Sequence, residues 1–452
     1  MYDITERRAP VSAWYALFVL VLAAVMSYVD REVLVLMAEP MKRAFNLTDA
    51  RLGLLQGGGV ALFAGIAALP IGWLADRFDR RIILVVCVCV WSTATAFCGL
   101  ASNFPQLFAA SIGLGIGEGA LVPVVYGLIP ELFPPTQRVF ANALFAIAVS
   151  LGAGLGLVLA GAAVDIANTA SIAFPSLIEG LETWRVSFFV VALPAPLLVV
   201  LVMLIRTPKA RPRGEADTHS DGANSVFGYI SARGAALFGF FGTFGLSGLS
   251  LTALMNWIPV VAMRTFHADP NQVGKALGTV IVVGSIGGFL ISNIIASWGR
   301  RRHAVRASLM TCILGFALAA ALCGLFPFAA NADQLYGVVA LQLICVMSGS
   351  MLMPSIMQNI SPPHMRSQLA SLGALLTVII SAFSPVLVGM VSDHMSAVDR
   401  PLLTAIIYVS AGGFALGAVL LFQARAAVVA AIEALQAVEA RNMPNASYTH
   451  VA

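Results

Sequence analysis

The run Val25-Met26-Ser27-Tyr28-Val29-Asp30-Arg31-Glu32-Val33-Leu34-Val35-Leu36 sets a carboxylate and a guanidinium side by side inside the first long apolar segment of the chain. A charged side chain at the centre of a membrane helix costs about 3 kcal/mol on insertion scales. Nothing about crossing a bilayer obliges a helix to carry two. One reading is a self-neutralising pair near the helix end, with Arg31 snorkelling to the interface. The other is that Asp30 and Arg31 face a water-filled path used by a substrate or a proton. The rest of the chain supports the second.

Hydrophobic residues make up 59% of the 452 and charged residues 11%, with a mean hydropathy of +0.89. Soluble domains are about half apolar and about a quarter charged, so the chain reads as an all-α, polytopic membrane protein. The first apolar run follows Arg7 and Arg8 but is too long for a signal-peptide core and lacks a small-residue cleavage site, so it is read as a retained span. Cys87, Cys89, Cys98, Cys312, Cys323 and Cys345 all sit in apolar runs without metal-ligand spacing and read as small hydrophobes. The histidines are scattered. No metal and no organic cofactor is expected, and no nucleic-acid partner, since the net charge of +4 reports loop topology instead. No nucleophile with a paired acid and base, and no Walker-type loop, speaks for a membrane enzyme.

A helical span needs about 20 apolar residues. That requirement predicts six spans near 12–37, 51–75, 82–101, 105–129, 138–163 and 184–205. Six more are predicted near 235–262, 273–297, 303–326, 335–359, 367–391 and 401–424. The expected organisation is therefore an N-terminal six-helix bundle (1–205), a polar linker (206–233), a second bundle (234–424) and a tail (425–452). The linker holds Pro208, Arg211, Pro212, Arg213, Glu215, Asp217 and Asp221 and has the composition of a solvated connector. The Ala-rich stretch from Ala424 to Arg441 reads as a helix in the cytoplasm or on the membrane surface, and the last ten residues as disordered. With a cytoplasmic N-terminus, the arginine clusters Arg77/Arg80/Arg81, Arg206–Arg213 and Arg300–Arg306 fall inside. Only Lys42, Arg43, Arg51, Arg185, Arg264, Lys275 and Arg400 fall outside. The positive-inside rule then puts both termini in the cytoplasm of a multi-pass protein of a cell membrane, such as a bacterial inner membrane.

The halves repeat each other. Pro134-Pro135-Thr136-Gln137-Arg138 opens the fifth span and Pro362-Pro363-His364-Met365-Arg366 the eleventh; at the same offset Gly161 meets Gly389 and Asp165 meets Asp393. Parallel six-helix repeats typify transporters whose substrate site lies between the halves.

Three motifs carry mechanism. Gly72-Trp73-Leu74-Ala75-Asp76-Arg77-Phe78-Asp79-Arg80-Arg81 lies between spans two and three. There Gly72 would allow close helix approach, Asp76 would supply charge at a helix end, and the arginines would hold the loop at the cytoplasmic face. With Arg138 and Arg366 these residues are the expected cytoplasmic gate. The fourth span contains Gly113-Leu114-Gly115-Ile116-Gly117-Glu118-Gly119, a carboxyl near mid-span flanked by glycines. A carboxyl buried without a fixed partner holds its proton more tightly than one in water, so Glu118, with Asp30, is a candidate proton-coupling residue. A permanent structural pair between Glu118 and Arg31 is the competing reading. In the second half, Asn256 of span seven and Gln358 of span ten join Tyr28 and Arg31 as candidate substrate contacts, in a lining otherwise nearly free of charge. For any one polar residue there, bonding to a neighbouring helix is the plainer explanation.

The loop after span two resembles the signature loop of the major facilitator superfamily, with Asp79 standing where that superfamily usually has Gly or Asn. Asp30-Arg31, Gly117-Glu118-Gly119, Ile129-Pro130-Glu131-Leu132-Phe133 and the run Glu39-Pro40-Met41-Lys42 to Gly57 resemble the Spinster-type transporters, over about residues 25–165. The resemblance implies the major facilitator fold: twelve transmembrane helices in two pseudo-symmetric six-helix bundles. It also implies a monomeric carrier among membrane lipids, driven by a proton gradient without a cofactor. Such a carrier would move an amphipathic anionic substrate such as a lysolipid or sphingoid phosphate. The related organic-anion/cation symporters share the Asp-Arg and Glu features, which would mean a small carboxylate instead. An uncoupled lipid facilitator also stays open.

Overall fold

The computed structural model describes residues 9–119, 121–174, 180–206, 228–299, 304–362, 366–395 and 397–442. Within hydrocarbon every backbone N–H and C=O must be bonded inside the chain, which leaves this long apolar sequence the helix. Among the described residues twelve helices are long and apolar enough to cross a membrane: Val11–Leu36, Asp49–Ala75, Arg80–Leu100, Phe104–Leu132, Leu151–Ala173, Thr183–Met203, Gly234–Phe266, Pro270–Ile295, Val305–Phe328, Ala332–Ile360, Leu372–His394 and Pro401–Ala437. They are spans one to twelve in chain order. The protein is an all-α, multi-pass membrane protein with its spans in two six-helix halves. Span five belongs to a longer helix, Pro135–Ala173, and span twelve to one running unbroken over Pro401–Asn442. The Ala-rich stretch after Ala424 is thus the direct continuation of the last span. The linker from 207 to 227, Arg300–Arg302, Pro363–Met365 and the last ten residues lie outside the described residues.

Interruptions of the spans have local causes. Span two begins as α-helix at Asp49–Gly53, widens to a π-helix over Leu54–Leu62 and tightens again over Phe63–Arg77. The wide turn holds Gly57-Gly58-Gly59, where no side chain resists it. Spans six, ten and eleven each restart at a proline in the first turn of the second segment: Ala195–Met203 after Pro194, Met353–Ile360 with Pro354, and Ser384–His394 with Pro385. Proline has no N–H to continue the ladder but suits a helix start.

The two halves are joined at the distal end, the end opposite the termini. Spans two and eleven touch backbone to backbone there, because a Cβ on Gly53 would collide with the Pro385 carbonyl and one on Gly389 with Asp49. Spans five and eight do the same where Gly154 and Gly278 each face the other's carbonyl. Asp393 of span eleven accepts from the backbone N–H of Asp49 (3.0 Å) and Ala50 (2.9 Å), capping the start of span two from the other half. Its repeat partner Asp165 accepts from the side-chain amide of Asn271, in the first turn of span eight. The repeat read from Gly161/Gly389 and Asp165/Asp393 therefore corresponds to two matching clasps across the seam.

Gly53→Ala is expected to loosen this seam, since the added methyl meets a carbonyl that cannot rotate away. A cysteine placed at Val386, in a background with the exposed Cys89 replaced by Ser, should then react with a water-soluble maleimide several-fold faster. An unchanged labelling rate would show that the seam tolerates the methyl.

Candidate functional site

Arg31 and Glu118 meet. The Arg31 Nη2 donates to Glu118 Oε2 at 2.7 Å, and the Glu118 side chain is 3% exposed. The glycines around Glu118 explain how it is buried. A Cβ on Gly117 would run into Trp91 of span three, and one on Gly119 into Ala64 of span two, so both neighbours close directly over span four. Arg31 lies nearer the distal end of its span than Glu118 does of its own, and the long Arg side chain bridges the offset. The pair is single-pronged. Among the described residues Arg31 Nε and Glu118 Oε1 are both buried without a hydrogen-bond partner. A guanidinium can hold an anion with two parallel bonds, so one donor and one acceptor stay available in a medium where an unmet polar atom is costly.

Asp30 turns out of the path it was expected to share. Its carboxylate is 4% exposed and accepts from Thr95 Oγ of span three at 2.7 Å, inside the first half. Adjacent residues point about 100° apart on a helix, so Asp30 and Arg31 part ways as soon as one of them faces the seam. In this conformation Asp30 is buried and hydrogen-bonded within the first half.

Between the halves lies a cavity of about 350 Å³, walled by spans one, five, seven, eight and ten. Tyr28 and Glu32 supply the first half's polar atoms; Ser285 does so for the second half, whose other lining includes Leu254, Met255, Ile258, Leu343, Met347 and Met351. Tyr28 backs onto Gly152 and Gly156 of span five, which bring it into the seam. Glu32 carried no role in the sequence reading, although its spacing of four from Tyr28 was the available signal: i and i+4 share a helix face. The two second-half candidates lie elsewhere. Asn256 bonds back to the Thr252 carbonyl (2.9 Å) and is not part of the cavity lining. Gln358 is exposed seven residues beyond Met351, about 10 Å nearer the end that carries the termini. Other polar residues of this half tie helices together, as with Gln342 to the Ala319 carbonyl (2.9 Å) and Trp257 to the Pro385 carbonyl (3.2 Å).

The loop after span two is held within its own half. Arg80 bonds to the Ala75 carbonyl (3.1 Å), the Gly127 carbonyl and Glu131 (2.7 Å). Arg81 reaches the carbonyls of Met203 and Ile205, each at 3.4 Å. Asp79, the departure from the superfamily pattern, caps span three by accepting from the Arg81 N–H (2.9 Å). Arg138 bonds to the carbonyls of Phe133 (2.9 Å) and Pro130 (2.8 Å), and Arg77 stacks on Trp73 with its guanidinium 3.7 Å from the ring centre. Gly72 was expected at a close helix approach, yet a Cβ there would meet nothing within 4 Å. With the seam closed at the distal end, no described residue presses against Gly72. The side chains of Asp76 and Arg366 lie outside the described residues.

The ionic latch that is described sits at the distal end. Arg264 of span seven holds Glu39 (2.7 Å from Nε, 2.5 Å from Nη2) and both oxygens of Asp49 (2.8 Å each). Lys42 and Ser392 complete the shell of Asp49 at 2.5 and 2.8 Å. Arg264 and Lys42, read from sequence as loop charges, belong to this cross-half cluster.

Comparison with known proteins agrees with this architecture. Residues 20–366 match the model of the Major Facilitator Superfamily. An MFS-type efflux pump of Mycolicibacterium smegmatis is 26% identical over 413 residues, covering 87% of this chain and 88% of the pump. The sphingosine-1-phosphate transporter SPNS2 of Xenopus tropicalis is 26% identical over 397 residues, covering 82% of this chain and 72% of the relative. Among solved structures, a bacterial homolog of the human lysosomal transporter Spinster, inward-facing and unoccupied, superposes with a TM-score of 0.71 at 22% identity, over 94% of this chain and 98% of that one. The D-xylose-proton symporter superposes with a TM-score of 0.68 at 16% identity, over 90% and 97%. This chain belongs to the Major Facilitator Superfamily and is a membrane transporter, not an enzyme, similar to transporters of Spinster type.

Proposed function

We propose that this transporter moves an amphipathic anionic substrate, such as a lysolipid or sphingoid phosphate, by alternating access coupled to protons. It would work as a monomer in a cell membrane, with both termini in the cytoplasm. The observation that carries the reading is the half-used Arg31–Glu118 pair with its open donor and open acceptor. An anion that takes Arg31 displaces Glu118, and the freed carboxylate, surrounded by apolar helix, takes a proton. Anion and proton then raise each other's affinity by the same factor, as linkage requires. SPNS2, by its name a sphingosine-1-phosphate transporter, supports the lipid class. The cavity of about 350 Å³ is at the small end for ligand sites and favours the second reading, a small organic anion.

The test is a proteoliposome panel of lysolipids, sphingoid phosphates and small carboxylates, each with and without a pH gradient. Gradient-stimulated flux of one class supports coupling and names the class, while flux indifferent to the gradient would leave an uncoupled facilitator. Arg31→Lys retains the charge but loses the two-pronged grip. It should weaken anion binding about tenfold, the value of one charge-assisted bond of about 1.5 kcal/mol. Wild-type affinity in both Arg31→Lys and Arg31→Ala would place the anion site elsewhere.

A further inference from the structure

Away from the seam, a groove of about 420 Å³ opens between spans nine and twelve at the end that carries the termini. Arg306 of span nine, and Arg425 and Glu433 of span twelve, stand on its otherwise apolar wall. Arg425, Val429 and Glu433 follow at intervals of four and share one helix face, as do Arg306 and Met310. Ala426 and Ala430 lie on the same wall and are too short to fill the space between the helices. Arg306 is the second residue of span nine. Arg425 lies about 36 Å along its helix from Pro401, past a hydrocarbon thickness of about 30 Å. Both guanidiniums therefore stand at the level of the lipid headgroups. From there the exposed face of span nine runs on through Met310 and Leu314 into the bilayer.

The charges in the groove do not close. Glu433 lies 3.9 Å from Arg306 with both side chains well exposed, a pairing worth little in water. Among the described residues Arg425 has no carboxylate partner. Its Nη1 donates to the Phe422 carbonyl (2.5 Å), and its guanidinium lies 3.5 Å from the centre of the Phe422 ring. Those contacts fix the plane of the fork and leave donors for a further acceptor. Two cations against one loosely held anion give the groove one positive charge in excess.

We propose that this groove seats an anionic phospholipid of the leaflet at that end, with its phosphate between Arg306 and Arg425 and an acyl chain along Met310 and Leu314. Guanidinium holds phosphate through two parallel bonds, and basic pockets between membrane helices suit acidic headgroups. The phosphate takes Arg306 from Glu433, which already faces water. The lipid ties the extension of span twelve to span nine, so it braces the second half and takes no part in the Arg31–Glu118 exchange.

The test uses the full-length protein in phosphatidylcholine bilayers, with bimane on a cysteine at Leu314 and the exposed Cys89 replaced by Ser. Chain-labelled 5-doxyl phosphatidylglycerol, phosphatidylethanolamine and phosphatidylcholine serve in turn as quenchers. Phosphatidylglycerol should be preferred over phosphatidylcholine by about fivefold for each arginine, or about twenty-five-fold in all. Arg306→Gln or Arg425→Gln should lower that preference to about fivefold, and the double variant should abolish it. Arg306→Lys with Arg425→Lys should keep most of it, and Glu433→Gln should raise it by removing the competing carboxylate. Equal quenching by phosphatidylglycerol and phosphatidylcholine in wild type overturns the proposal. A preference that survives the double Gln variant also overturns it, as does a Lys pair no better than the Gln pair. A preference for phosphatidylethanolamine that Glu433→Gln removes overturns it in favour of a zwitterionic lipid.

Discussion

Glu118→Gln is expected to abolish gradient-driven transport while leaving substrate binding within a few-fold of wild type. Gln has nearly the shape of Glu and still offers Arg31 an acceptor oxygen, so the 2.7 Å contact can persist with the local packing against Gly117 and Gly119 intact. What the amide cannot do is take up and release a proton. It mimics the protonated carboxyl, whose hold on the guanidinium is weaker, so anion binding should match or exceed wild type. Exchange of labelled substrate down its own gradient should continue, and the loss should appear only when the pH gradient is asked to do work. Full pH-driven accumulation by Glu118→Gln would remove Glu118 from coupling. Loss of both exchange and accumulation would make the pair a structural tie.

The second large effect is expected at the distal latch. Arg264→Gln leaves Glu39 and Asp49, 9% and 3% exposed, without the guanidinium that neutralises them. Removing one partner of a buried ion pair costs about 3–5 kcal/mol. Lys42 and Ser392 still hold Asp49, and the Arg264 side chain is 26% exposed, so about 2 kcal/mol is the fitting figure here. The whole of it falls on the state closed at the distal end, because the acids regain water when that end opens. A penalty of that size shifts the equilibrium about thirtyfold toward distal opening. Spin labels at Arg51 and His394, both exposed near the seam, should report a new population at longer distance. Neutralising one acid as well, in the pair Glu39→Gln with Arg264→Gln, should restore part of the short-distance population. An unchanged distance distribution in Arg264→Gln would mean that backbone contacts such as Gly53 to Pro385 carry the seam alone.

The number of spans and the identity of the Arg31–Glu118 pair were legible in the sequence because both follow from single residues and their solvent. Transfer from water to hydrocarbon acts on each residue where it stands, so long apolar runs mark helices without knowledge of their neighbours. A charge inside such a run declares itself for the same reason. The repeat was legible too, since Gly161/Gly389 and Asp165/Asp393 recur at one offset from a shared Pro-Pro motif.

What only the tertiary structure decided is which of two adjacent charges faces which neighbour, and which end of the molecule is shut. Asp30 and Arg31 are equivalent by hydropathy; the rotation of span one sends the first to Thr95 and the second to Glu118, and that rotation is set by packing against glycines far away in sequence. The same rotation brings Glu32 onto the cavity wall and excludes Asn256, whose own helix turns it toward Thr252. Arg264 reads in sequence as one more loop cation, but 215 residues separate it from Asp49. Their contact exists only in a conformation closed at that end. The composition is the same whichever end is shut, so it cannot declare the closure; a few pairings across the seam, such as Arg264 with Asp49, do.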